Sequence, residues 1–231
     1  FGLCANAQKK AVLPPGLDNY INRVLTSFSV PGVGVAIVKD GKVLLAKGYG
    51  TKRMGENQPV DENTLFLIAS NSKAFTATSL AILVEEGKLK WDDKVIAHLP
   101  WFRMSDDYTT SHITIKDLLV HHSGLPAYGG DIMLFPPSKY SRKEILEKLP
   151  LIPMKYDFRT TYAYDNILYL AAGEVIEKAS GMSWEDFVKT KIFGPVGMKE
   201  SISRYSSLKS KENFAFGHAR NGKEIRIVEN F

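Results

Sequence analysis

A mixed fold of α+β type, with helices set between two strand pairs, is what this sequence predicts. Three observations carry that expectation. β-Rich runs flank Asp40-Gly41 near the start and Asn221-Gly222 near the end, and both dipeptides are two-residue hairpin signals. Two long apolar runs lie between them, Lys73–Glu86 and Asn166–Ala179. The composition, 44% apolar and 24% charged over 231 residues, suits a globular chain and excludes collagen-like or low-complexity sequence.

The elements follow in order. Leu17, Tyr20, Ile21, Val24, Leu25 and Phe28 fall at helical spacing, and Pro31-Gly32 stops that helix. Val33–Lys39 and Lys42–Gly48 form the first predicted hairpin, and residues 50–64 are polar and turn-rich. A β-rich stretch, Thr64–Ala69, leads into the Lys73–Glu86 helix, which is apolar on most sides and therefore expected to be buried. Thr114–Val120 reads as a short helix, Ser141 with Glu144 as a capping box, and Ser183–Val188 as a further helix. Phe214–His218 and Glu224–Val228 form the second hairpin, so one sheet assembled from both chain ends is expected.

Charge and motifs exclude several functions. The net charge of +5 is scattered rather than gathered on an aromatic-rich stripe, so no nucleic acid is expected as a partner. No apolar run approaches the ~20 residues that cross a bilayer. One cysteine excludes a disulfide framework, and the five histidines do not recur at ligand spacing, so no metal is expected. Gly-x-Gly-x-x-Gly, Walker A and the Gly-x-Ser-x-Gly elbow are absent, leaving no cofactor to predict. Phe1–Ala7, with Ala5-x-Ala7, reads as the end of a secretory signal, which implies a periplasmic or secreted protein; Leu3 makes lipidation of Cys4 unfavourable.

The remaining nucleophile pattern is Ser-x-x-Lys. A lysine one turn after a serine can hold its amine near the hydroxyl, and a lysine in an apolar core gives up its proton more readily. Two matches occur. Ser206-x-x-Lys209 lies in polar sequence and reads as a solvated loop. Ser70-x-x-Lys73 opens the most apolar helix, where backbone N–H groups are unpaired, and is the catalytic candidate. Tyr164-Asp165-Asn166 precedes the other buried helix and supplies a tyrosine to relay protons and an amide to hold a carbonyl and the lysine. Tyr20-Ile21-Asn22 repeats Tyr-x-Asn, but Tyr20 is expected on the apolar face of its helix and reads as structural.

The ordered set Ser70-Asn71-Ser72-Lys73, Leu118–Pro126, Tyr164-Asp165-Asn166 and Ile192–Met198 resembles the serine β-lactamase-related superfamily, in particular class C β-lactamases, class VIII esterases and D-alanyl-D-alanine peptidases. The resemblance implies a β-lactamase/transpeptidase-like fold, a helical subdomain packed on a five-stranded antiparallel sheet. It implies an acyl-enzyme on Ser70, with Lys73 the base, Tyr164 assisting proton transfer, Asn166 binding the substrate amide, and the Ser70 N–H forming half of an oxyanion hole. The implied substrate is an ester, β-lactam or D-amino-acid peptide; oligomeric state is not legible. A non-catalytic penicillin-recognition module or an inactive fragment is the alternative. The family's third motif, Lys/His-x-Gly near the C-terminus, is not found after Asn166: Lys189-Thr190-Lys191 and His218-Ala219-Arg220 lack the glycine. His122-Ser123-Gly124 matches only superficially and reads as structural. The expected organisation is therefore a signal remnant over 1–7 and a hydrolase domain over 8–231 that lacks its C-terminal third, with the sheet incomplete.

Overall fold

The computed structural model describes residues 12–135, 139–208, 212–222 and 224–228. The signal-like Phe1–Ala7, with Cys4, and Lys209 of the second Ser-x-x-Lys lie outside them. The described residues divide between a strand unit, within 1–67 and 207–230, and a helical unit, within 68–206.

In the strand unit, α1 (Leu17–Phe28) precedes β1 (Gly32–Lys39) and β2 (Lys42–Gly50), which pair antiparallel around the expected Asp40-Gly41 turn. Ile21 is buried on α1, but Tyr20 is 57% exposed and not on the buried face that the spacing suggested. Tyr49 is buried, and its hydroxyl donates to Asp18 of α1 at 2.6 Å. At the other end β3 (Gly217–Asn221) pairs antiparallel with β4 (Glu224–Val228).

The single sheet expected from both ends does not form among the described residues; there are two two-stranded sheets. The reason is visible in the loop between β2 and the helical unit. Leu65 makes one parallel bridge with Phe214, the Phe216 N–H donates to the Lys52 carbonyl, and the Met54 N–H donates to the His218 ring. These bonds satisfy backbone groups through loop segments rather than through strand pairing. For the same reason Thr64–Ala69 is not a strand beyond that one bridge.

The helical unit contains α2 (Ser72–Glu85), α3 (Val95–His98), α4 (Asp107–His112), α5 (Arg142–Leu146), α6 (Ile167–Ser180) and α7 (Trp184–Val188). The capping box is present: the Ser141 hydroxyl accepts from the Glu144 N–H, and the Glu144 carboxylate accepts from the Ser141 N–H. Its core joins Leu80 and Leu83 of α2, Leu118 and Leu125, and Ile167, Leu168, Ala171 and Ala172 of α6, all fully buried. Phe193, in the Ile192–Met198 landmark, meets Phe75 of α2 edge to face at 5.4 Å.

Two expectations change here. The helix α2 is not buried all round; Ala74, Thr78 and Ala81 are exposed. Alanines count as apolar in a pattern but expose little surface, so they do not force burial. Thr114–Val120 is a run of turns rather than a helix. The N–H groups of Ile115 and Lys116 bond to Asp93 and Trp91 carbonyls, Thr114 bridges Lys94, and the Asp117 carboxylate takes the Thr114 N–H at 2.8 Å. Partners outside the segment, with the Asp117 side chain within it, win over a local helix.

Candidate functional site

Ser70 sits in a single turn of 3-10 helix, Ala69–Asn71, that runs directly into α2. One turn later Lys73 points back along the same face, its Nζ 3.4 Å from Ser70 Oγ. The preceding Ala69 has a φ of 44°, in the left-handed region that a side chain disfavours. Ser70 itself is exposed.

The second motif enters from the start of α6. The Tyr164 hydroxyl lies 2.8 Å from Ser70 Oγ, closer than the lysine. Asn166, the N-cap of α6, turns its Oδ1 to Lys73 and accepts from Nζ at 2.6 Å. The Lys73 ammonium also stands over the rings of Tyr164 (4.7 Å) and Tyr169 (4.9 Å), contacts suited to a cation. Thus Ser70, Lys73, Tyr164 and Asn166, 93 residues apart for the lysine–amide pair, converge on one point.

Electrostatics separate the two tyrosines. Burial alone pushes the Tyr164 phenol up, but the Lys73 side chain and the Ser70 hydroxyl outweigh it and leave the group below the ordinary tyrosine value. Tyr169 behaves in the opposite way. Burial, helped by the Asp165 charge, pushes it up to about 12, and its hydroxyl donates to the Leu119 carbonyl at 2.9 Å. One phenol lies below the ordinary tyrosine value; the other lies above it and is tied to the backbone.

Sequence reasoning missed three supports. Asp131 accepts from the Asn166 Nδ2 at 2.8 Å. Buried His121, at a φ of 59°, packs its ring against Tyr164 at 4.5 Å, and its Nδ1 accepts the Asp165 N–H at 3.2 Å. Arg159 grips the buried Asp117 with Nε at 3.0 Å and a terminal nitrogen at 2.6 Å, fixing the segment that leads to Tyr164. None has a periodic signature; the His121-His122 doublet was visible only as a landmark.

The other motif matches have settings of their own. Gly124 of His122-Ser123-Gly124 is in a turn, φ 91°, where a Cβ would meet Met154 and the Tyr156 carbonyl at 2.7 Å; it is not on a strand. Lys191 of Lys189-Thr190-Lys191 pairs with Glu86 at 2.8 Å, in a π-helical turn after α7. His218-Ala219-Arg220 lies in β3. Among the described residues no group of three or more His, Cys, Asp or Glu is arranged to hold a metal ion.

Comparison with known proteins fits this geometry. A family model described as Beta-lactamase matches residues 17–223. The chain belongs to the beta-lactamase family, a family of serine hydrolases. It is 33% identical over 211 residues to the unguisins hydrolase ungD' of Aspergillus campestris (strain IBT 28561), covering 87% of this chain and 39% of that protein. It is 34% identical over 194 residues to penicillin-binding protein 4* of Bacillus subtilis (strain 168), covering 80% and 41%. A solved class C beta-lactamase superposes with a TM-score of 0.75 at 27% identity, over 92% of this chain and 55% of that one. The fold is accordingly beta-lactamase/transpeptidase-like, with helices and small antiparallel sheets. The chain spans about two-fifths of the length of these curated relatives. No helix among the described residues is long and apolar enough to cross a membrane.

Proposed function

We propose that this chain carries the acylation machinery of an exported serine hydrolase that acts on an ester, β-lactam or D-amino-acid peptide through an acyl-Ser70 intermediate. The observation that carries the reading is Ser70 Oγ held 2.8 Å from the Tyr164 hydroxyl and 3.4 Å from Lys73 Nζ. A serine is a weak nucleophile until a neighbouring group takes its proton. Ser70 Oγ attacks the substrate carbonyl carbon while its proton passes into the Tyr164–Lys73 pair. Tyr164 is the nearer acceptor, and its lowered pKa suits it to the role.

The Ser70 N–H, at a helix start where such groups have no intrahelical partner, supplies one oxyanion donor. Collapse of the tetrahedral intermediate breaks the C–N or C–O bond, and the leaving group takes the proton from Tyr164. Water then releases the acyl group and regenerates Ser70. Asn166 holds Lys73 through its oxygen and offers an N–H to the substrate carbonyl. The names of the two curated relatives, a hydrolase and a penicillin-binding protein, support this class of chemistry.

The test is covalent labelling of the complete protein with a fluorescent penicillin and with a fluorophosphonate. Label mapped to Ser70 and abolished in Ser70→Ala is expected. Label that persists in Ser70→Ala overturns the reading, and stoichiometric label without turnover on any ester or β-lactam favours a recognition module instead.

A further inference from the structure

The Asn166 amide has two ends, and only one orientation serves the site. Its oxygen accepts from Lys73 at 2.6 Å, and its nitrogen donates to Asp131 Oδ2 at 2.8 Å. A primary amide is nearly symmetric in shape, so its neighbours decide which way it faces. An ammonium only donates and a carboxylate only accepts. Turned over, the amide would set N–H against N–H at Lys73 and oxygen against oxygen at Asp131. We infer that Asp131 is a positioning residue: its carboxylate fixes the Asn166 amide with the oxygen on Lys73 and leaves the second N–H for the substrate carbonyl.

The backbone around Asp131 is built to hold that carboxylate. Gly130, immediately before it, has a φ of 83°, and a Cβ there would lie 2.8 Å from Ile152 and 2.9 Å from Ile167. The Asp131 N–H donates to the Tyr128 carbonyl at 3.1 Å. Tyr128 donates its own N–H to the Tyr164 carbonyl at 2.7 Å, so the Asp131 turn is tied to the tyrosine that faces Ser70. The other carboxylate oxygen, Oδ1, is buried without a hydrogen-bond partner. Leaving a buried acceptor unpaired costs about 1–3 kcal/mol, a cost that the bond to Asn166 helps to offset. The Asp131 charge also raises the Tyr164 phenol, against the lowering from Lys73.

The inference rests on the acylation reading, and the experiment separates the two. The rate of Ser70 labelling by a fluorescent penicillin is measured for the wild type, Asp131→Ala, Asp131→Asn, Asn166→Ala and the Asp131→Ala/Asn166→Ala pair. A misplaced positioning group costs up to about 100-fold, so Asp131→Ala should label about 10- to 100-fold more slowly. Asp131→Asn keeps an acceptor and should recover most of the rate. In the Asn166→Ala background Asp131→Ala should have no further effect, because the group it positions is gone. A wild-type rate in Asp131→Ala, or the same loss in both backgrounds, overturns the inference alone. Absence of label on wild-type Ser70 overturns the acylation reading and the inference with it. If Asp131→Ala lacks a cooperative thermal transition, Asp131→Leu, nearer in volume, takes its place in the same cycle.

Discussion

The helical and strand units use apolar residues in different ways. The helical unit joins 21 buried residues, from Leu80 to Phe187, in one core, and it carries Ser70, Lys73, Tyr164, Asn166 and Asp131. In the strand unit only Ile21, Tyr49, Val60 and Leu208 are buried among the described residues, while Phe28, Val38 and Val43 are at least 62% exposed. Two-stranded hairpins are marginal on their own, and side chains alternate between faces, so a hairpin packed on one face leaves the apolar residues of the other in water. The distances at Ser70 are thus set by helix packing. The hairpins are set by local turn chemistry.

That contrast breaks or sharpens under substitution. The largest effect is expected at the centre of the helical unit. Tyr164→Phe keeps the ring against His121 but removes the proposed proton acceptor, and should slow acylation by about 10²- to 10⁴-fold. In the wild type the acylation rate should rise with pH along a limb centred below the ordinary tyrosine value of 10.0, because the active form is deprotonated. That limb should vanish in Tyr164→Phe, and stopped-flow acylation across pH reads it. A limb that persists moves the acceptor role to Lys73.

Next comes the core itself. Leu83 is fully buried and Val43 is 66% exposed. Leu83→Ala should cost about 2–5 kcal/mol, from lost burial and the cavity left behind. Val43→Ala should stay within about 0.5 kcal/mol. Denaturant titration checks both, and equal costs would dissolve the distinction between the units.

The smallest of the three lies at the edge of the site. Burial pushes the Asp117 carboxyl up, but Arg159 and Thr114 outweigh it and hold the group below the ordinary 3.8. A carboxyl depressed in the folded state adds stability above its unfolded pKa and loses it as pH falls through the folded value. Arg159→Ala should therefore cost about 1.5–3 kcal/mol at neutral pH, the range for hydrogen bonds to charged groups. The gap to wild type should narrow as the pH drops below about 4. Thermal melts from pH 7 to pH 2 follow it, and a gap that does not change with pH would assign the effect to packing.

Local chemistry was legible in the sequence. Asp40-Gly41, Asn221-Gly222 and the Ser141–Glu144 box act within a few residues, and each forms as read. Ser70, Lys73, Tyr164 and Asn166 were legible through their motifs and the order of those motifs. Thr114–Val120 was not, because the N–H groups of Ile115 and Lys116 find partners more than twenty residues away, on Asp93 and Trp91. Asp131, His121 and the Arg159–Asp117 pair were not legible either, since each acts on a residue distant in the chain and lies in no periodic pattern. The joined sheet does not form among the described residues because strand propensity says where a strand forms, while pairing depends on partners distant in the chain.

Ala69, beside Ser70, is held in a backbone region that its own side chain opposes, at a φ of 44°. A left-handed residue with a side chain costs about 1–2 kcal/mol, and here that energy is invested one bond away from Ser70. A change that relaxes Ala69 should steady the chain and shift Ser70 relative to the Tyr164 hydroxyl and Lys73. On the acylation reading, durability and reactivity therefore pull in opposite directions at this single peptide link.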